Sequence, residues 1–297
     1  MFERLSRSWK LLGASASVLS KDKELLLFPL VSSGALLVVT LAFALPMFGL
    51  GALDGLGGGR NQAISAGVYV VGFLFYFCQY FVIFFFNAAL VSAALVRLEG
   101  GDPTFSQGLR LASEKVGVIA GYAAIAATVG MILRIIQERV GLVGRIVVGL
   151  IGIGWSLATY LVVPVLVSRD VGPVDAIKES ASIFRETWGE NVVGQAGLGA
   201  AFAFIFFLVL LAGGFLIIVA AMAHSAFLFA VAVTLTVIAV ALTALVQAAL
   251  SGIYAAALYR YATTGQDTEA FDAGTMKSVS TIFNGLKMRS RRNTLYG

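Results

Sequence analysis

The sequence predicts an all-α membrane protein, a bundle of six transmembrane helices with amphipathic helices on its cytoplasmic side. Two observations carry this prediction. Hydrophobic residues make up 59% of the 297 residues and charged residues only 12%, about half of the roughly 25% that is usual in soluble domains. In addition, the 69 residues between Glu190 and Arg260 carry no formal charge. Because about 20 apolar residues cross a bilayer, that stretch must cross, turn and return.

Each apolar run is expected to be a helix, since backbone polar groups in lipid find no water to bond. The runs lie at about 25–50, 64–96, 116–133, 146–168, 192–222 and 227–259. The first run is longer than the core of a cleavable signal peptide, so we expect it to be retained. The third is short, and the last two are separated near His224. We therefore assign 1–260 to one transmembrane domain and 261–297 to a basic cytoplasmic tail.

Basic residues set the predicted orientation. If the N-terminus is cytoplasmic, 17 of the 21 Lys and Arg residues fall on the cytoplasmic side and four outside. Cytoplasmic loops are enriched in Lys and Arg, so we predict a cell (inner) membrane protein with both termini in the cytoplasm. The same bias accounts for the net charge of +5, and no nucleic-acid partner is expected.

Four predicted cytoplasmic segments carry apolar residues three and four positions apart. They span residues 2–19, 105–116, 174–188 and 276–286. In the third, the stripe runs through Val174, Ile177, Ala181 and Phe184. Such stripes are typical of amphipathic helices, and beside a membrane these are expected to lie in the interface or under the bundle.

Two of these segments follow related sequences, Arg97–Pro103 and Arg169–Pro173. Together with the N-terminal segment, the chain then reads as three copies of an amphipathic helix plus a transmembrane hairpin. Two spans in each copy leave successive copies in one orientation, so the predicted repeat is parallel.

Two sequence blocks resemble a known family. The first comprises Ser8–Leu12 and Val18–Pro29, and the second is Ala256–Gly265. Both resemble blocks of a family of uncharacterised bacterial multi-pass membrane proteins. The resemblance covers nearly the whole chain. It implies a six-helix integral membrane protein of unknown function, and it supplies no catalytic residues.

Residues suited to catalysis are scarce. Cys78 and His224 are the only cysteine and histidine, which excludes most thiolate and His-rich zinc sites. No carboxylate lies near the centre of a predicted span, where such groups are costly and usually functional. We expect His224 to be a turn residue, and we expect no enzyme activity, metal or cofactor.

Polar residues within the spans allow two interpretations. Gln79, Asn87 and Gln247 either hydrogen-bond between helices or line a polar path through the bundle. We favour the first interpretation, because interhelical amides are common in membrane bundles.

A charged cluster lies at the predicted outer side, formed by Arg134, Glu138, Arg139 and Arg145. It either binds an anion or consists of interface charges at the ends of a short hairpin. We favour interface charges, because long basic side chains readily reach the headgroups from helix ends.

The sequence therefore predicts a non-enzymatic integral membrane protein whose cytoplasmic amphipathic helices contact lipid or a membrane partner. Anionic headgroups are the expected ligands of the basic tail residues Lys277, Lys287, Arg289, Arg291 and Arg292, since each basic residue near an anionic leaflet contributes about 1 kcal/mol. The other interpretation is a disordered tail whose charges only satisfy the positive-inside bias. The alternative is a small-solute transporter or channel with a polar path through the bundle. A homo-oligomer or a protein partner is compatible with both.

Overall fold

The computed structural model describes residues 13, 15–49, 66–186 and 188–264. In these residues the chain contains nine α-helices and no strands, which confirms the all-α prediction. A 3-10 turn, Lys23–Leu26, precedes the first helix. The helices are α1 (Leu27–Gly49), α2 (Ala66–Leu98), α3 (Phe105–Glu114), α4 (Val116–Arg139), α5 (Leu142–Ala158), α6 (Val162–Ser168), α7 (Pro173–Glu186), α8 (Trp188–Met222) and α9 (Ala226–Thr264).

Six helical segments of the described chain are long and apolar enough to cross a membrane, as predicted. They are Lys23–Pro46, Val70–Leu98, Val116–Arg139, Leu142–Ser168, Leu198–Met222 and Ala226–Thr264. These segments indicate a multi-pass membrane protein. The third does not end at residue 133: α4 continues to Arg139, and Arg134 and Glu138 pair across one turn of it. The sixth continues past the predicted end at 259 to Thr264.

The fourth span is interrupted between α5 and α6. Pro164 lies in the first turn of α6 and has no N–H to donate to the preceding turn. The hydroxyl of Ser180 in α7 replaces part of the backbone hydrogen bonding that the interruption removes. It donates to the carbonyl of Ala158 (2.7 Å) and accepts from the N–H of Leu161 (3.1 Å).

The described chain divides into two compact units. The first contains residues up to Leu26, the segment Ala94–Asp102, and the helices α8 and α9. In this unit α8 and α9 form an antiparallel hairpin whose turn contains the exposed His224, at a positive φ of 50°. The two helices approach closely at Gly213, where a Cβ atom would overlap the side chain of Thr236.

The second unit contains Leu27–Ala93 and Pro103–Arg185. Here the short helices α3 and α7 lie directly on the ends of the spans. The ring of Phe105 in α3 is 4.8 Å from that of Phe28 in α1. A Cβ atom on Gly108 would lie 2.8 Å from the carbonyl oxygen of Ala89. Pro173, the first residue of α7, packs on Gly121 of α4 in the same close manner.

Burial is concentrated at one end of three helical spans. Residues 88–94 of α2, 161–166 at the start of α6 and 252–259 of α9 are buried on every face. An arginine follows each stretch: Arg97, Arg169 and Arg260. Long apolar surfaces elsewhere on the spans are exposed, as expected of helices that face lipid.

The buried positions before the spans share a spacing that fits the predicted threefold plan. Each of three helical segments buries two residues four positions apart: Ser15 and Leu19, Gly108 and Ala112, and Ser180 and Phe184. The first and third segments also share three identical residues, since 15–17 and 180–182 both read Ser-Ala-Ser.

The buried face of α7 differs from the predicted stripe. Val174 is 54% exposed, because the helix turns Ala176 and Ser180 inward instead. Phe184, the last described side chain of the stripe, is buried as expected. Small residues let this helix approach the span backbone closely enough for Ser180 to bond to it.

Candidate functional site

The first unit contains a buried ion pair between Asp22 and Arg97. Asp22 is the residue before the 3-10 turn, and its side chain is only 8% exposed. Its Oδ2 atom is 2.6 Å from Nε of Arg97, near the end of α2. Among the described residues this Oδ2 atom has no hydrogen-bond partner, so its contact with Arg97 is an ion pair held by charge. Burial raises the pKa of the Asp22 carboxyl, and the positive charge of Arg97 acts in the opposite direction.

The end of α2 is capped from two directions. Gly100 has a positive φ of 90°, and the N–H groups of Gly100 and Gly101 bond to the carbonyls of Arg97 and Val96 (both 3.0 Å). This is the glycine-terminated arrangement that satisfies the last carbonyls of a helix. The guanidinium of Arg260, near the end of α9, donates to the carbonyl of Leu98.

A similar closure exists in the second unit. Lys115, between α3 and α4, places its Nζ 3.1 Å from the Asp170 carboxylate and donates to the carbonyl of Arg169 (3.3 Å). Arg169 in turn lies 2.7 Å from Glu179. In each of the first two predicted hairpins, a residue before the first span pairs with a residue at the end of the second. The signs are reversed, since Asp22 is acidic and Lys115 is basic.

The three predicted intramembrane amides occupy different surroundings. Nε2 of Gln79 in α2 donates to the hydroxyl of Thr40 in α1 (2.8 Å), so this amide links two spans. Asn87 and Gln247 are half-buried. Asn87 belongs to the second unit and Gln247 to the first.

The predicted charged cluster is partly assembled at the end of α4. Nε of Arg134 is 3.1 Å from the Glu138 carboxylate, and its Nη1 donates to the hydroxyl of Tyr76. The guanidinium also lies 6.0 Å from the centre of the Tyr76 ring. Arg139 and Arg145 are exposed, and neither has a polar partner among the described residues. Tyr76, which the sequence reasoning missed, is therefore a member of the cluster.

Tyr76 begins a column of aromatic rings that joins α2 to α4. Its ring stacks on that of Tyr80 (6.5 Å), and Tyr80 stacks on Phe84 (5.7 Å). Phe84 then contacts Tyr122 of α4 at 4.5 Å. The three α2 residues are four positions apart, a spacing that places them on one helix face. The same spacing recurs at Phe73, Phe77, Phe81 and Phe85 of α2, so the sequence alone does not single out Tyr76.

The remaining predicted site residues are those of the basic tail. The tail residues Lys277, Lys287, Arg289, Arg291 and Arg292 lie outside the described residues. Within the described ranges, no three His, Cys, Asp or Glu side chains come close enough together to hold a metal ion.

Comparison with known proteins gives a family and no activity. The model of a family of unknown function, DUF6159, matches residues 66–269, more than half of the chain. The chain belongs to this family. The DUF6159 match includes the second of the two sequence blocks, Ala256–Gly265, and begins after the first. The resemblance to an uncharacterised family is thereby confirmed. No curated protein and no solved structure matches the chain.

Proposed function

We propose that this DUF6159 member is a non-enzymatic integral membrane protein that contacts anionic lipid headgroups through its short helices α3 and α7 on the cytoplasmic side. One observation carries the proposal. Each short helix is fixed to the spans by a buried face of small residues, Gly108 and Ala112 in α3 and Ala176 and Ser180 in α7. Each turns charged side chains outward.

The outward faces carry charges of both signs. Arg110 and Glu114 are exposed on α3, and Asp175, Lys178 and Arg185 are exposed on α7. Basic residues at the membrane surface attract anionic headgroups, and the attraction fades within a Debye length. If every span crosses once, both short helices lie on the same side as the termini, where 17 of the 21 basic residues are predicted.

The alternative, a small-solute transporter or channel, has less support. Of the three amides proposed to line its path, Gln79 is bonded to Thr40, which favours a role in helix packing. No described contact joins the other two amides into a path.

Site-specific fluorescence tests the proposal. An environment-sensitive fluorophore is attached to Ser106→Cys in α3 or Ser182→Cys in α7, both exposed positions, in a Cys78→Ser background. The full chain is placed in anionic or neutral vesicles that contain a headgroup-linked quencher. We expect strong quenching in anionic vesicles and reduced quenching when Arg110, Lys178 and Arg185 are all changed to Gln. Equal and weak quenching in both vesicle types would reject lipid contact and leave a protein partner for these faces.

A further inference from the structure

The basic cluster at the α4–α5 turn is the part of the molecule that the proposed function does not use. Three arginines and one glutamate lie between residues 134 and 145, which gives this short segment a charge of +2. Of the four basic residues predicted on this side of the membrane, three are in this segment. Such a concentration is unexpected for charges that only mark helix ends, because Lys and Arg are disfavoured on that side.

We propose that this turn, together with Tyr76, binds the phosphate group of a membrane phospholipid. Arg134 is the anchor of the proposed site. It is held between Glu138 and the Tyr76 hydroxyl, with the Tyr76 ring nearby. A guanidinium has five N–H donors in a rigid fork that suits phosphate oxygens. The two contacts use one donor each, so the others remain for a ligand, and the side chain is 63% exposed.

Arg139 and Arg145 supply the remaining charge. Both are exposed on either side of the turn at Val140 and Gly141 and have no polar partner in the described chain. Glu138 neutralises one positive charge, so two remain uncompensated. An anion at this turn is therefore attracted electrostatically, and phosphate is the anion that a bilayer presents at the ends of its spans.

The apolar surroundings favour a lipid over a free anion. Exposed aliphatic side chains flank the arginines on both helices: Ile132, Ile136, Leu142, Val143, Ile146 and Val147. A phospholipid bound by its phosphate at the turn places its acyl chains along these side chains, which face the hydrocarbon of the bilayer. Inorganic phosphate gains nothing from them.

A photoreactive lipid tests the site on the full-length protein. Phosphatidylglycerol with a diazirine near its headgroup is added at subsaturating concentration, and the crosslinked peptides are mapped. We expect an adduct within 132–147. The Arg139→Gln/Arg145→Gln variant should lower its yield roughly twenty-five-fold, since each basic residue near an anionic lipid accounts for about fivefold. Both residues are exposed, so the variant should elute from a sizing column as the wild type does.

A matched control variant distinguishes this site from a general electrostatic attraction between the protein and anionic lipid. Arg110→Gln/Arg185→Gln removes the same charge from α3 and α7 and should leave the 132–147 adduct unchanged, even if the function proposed for those helices is correct. Excess inorganic phosphate should compete weakly. An adduct of equal yield in the Arg139→Gln/Arg145→Gln variant, or one that falls equally in the control variant, overturns the proposal. Full competition by inorganic phosphate would also overturn it, in favour of a free anion.

Discussion

Asp22 and Arg97 are distant in sequence, yet their charged atoms lie 2.6 Å apart where the first predicted hairpin begins and ends. Lys115 and Asp170 close the next hairpin with the opposite arrangement of charge. An ion pair therefore closes each of these two hairpins, with the acidic and basic positions exchanged. The contribution of the Asp22–Arg97 pair to stability can therefore be tested by exchanging its two charges.

Removing one partner of the buried pair should destabilise the fold. For Arg97→Ala we expect a loss of about 2–3 kcal/mol, below the usual cost of breaking a fully buried pair because Arg97 is 23% exposed. The measurement is reversible unfolding in detergent. Lys178→Gln breaks the exposed pair with Asp175 and should change little. The reversed pair Asp22→Lys/Arg97→Asp should recover part of the loss. If it were no more stable than Arg97→Ala, the charge pairing would not be what matters there.

The raised pKa of Asp22 predicts a pH dependence of stability. Burial favours the protonated carboxyl in the folded state. The contribution of the protonated Asp22 carboxyl to the free energy of unfolding is complete at a pH below the ordinary carboxyl pKa. It is lost as the pH rises through the raised pKa of the folded state. Wild type should therefore gain stability relative to Asp22→Asn as the pH falls from neutral toward about 4. Unfolding midpoints of both proteins across this range measure the difference. If the unfolding midpoints of the two proteins changed in parallel with pH, the raised pKa of Asp22 would be contradicted.

The close approach of α3 to the spans depends on Gly108. Because a Cβ atom there would lie 2.8 Å from the Ala89 carbonyl and 2.6 Å from the Phe28 ring, Gly108→Ala should cost about 1–3 kcal/mol through overpacking. Gly117 of α4 is the matched control, since nothing lies within 4 Å of a Cβ atom built there. Gly117→Ala should be neutral or slightly stabilising, because alanine has the higher helix propensity. Equal effects of the two substitutions would reject the steric explanation.

Composition and apolar run length were enough to predict the helical class and the number of spans, because lipid leaves the backbone few alternatives. Side-chain partners were harder to foresee. Ser180 looked like an ordinary polar residue, and its bonds to Ala158 and Leu161 depend on an interruption in another helix. Tyr76 was one aromatic among many in α2, and its contact with Arg134 depends on how α2 and α4 align. Such long-range pairings leave almost no trace in local spacing.

The basic residues predict the orientation in the membrane, and this prediction is open to direct measurement. With the N-terminus in the cytoplasm, α7 lies inside and the α8–α9 turn outside. Ser182 in α7 and Ala223 in the turn are both exposed, so either should accept a cysteine without loss of the fold. In a Cys78→Ser background, a membrane-impermeant thiol reagent added to intact cells should label Ala223→Cys and spare Ser182→Cys. Inside-out vesicles should give the opposite result. Labelling of Ser182→Cys from outside would invert the topology and place α3 and α7 on the other face, where the proposed contact with cytoplasmic headgroups could not occur.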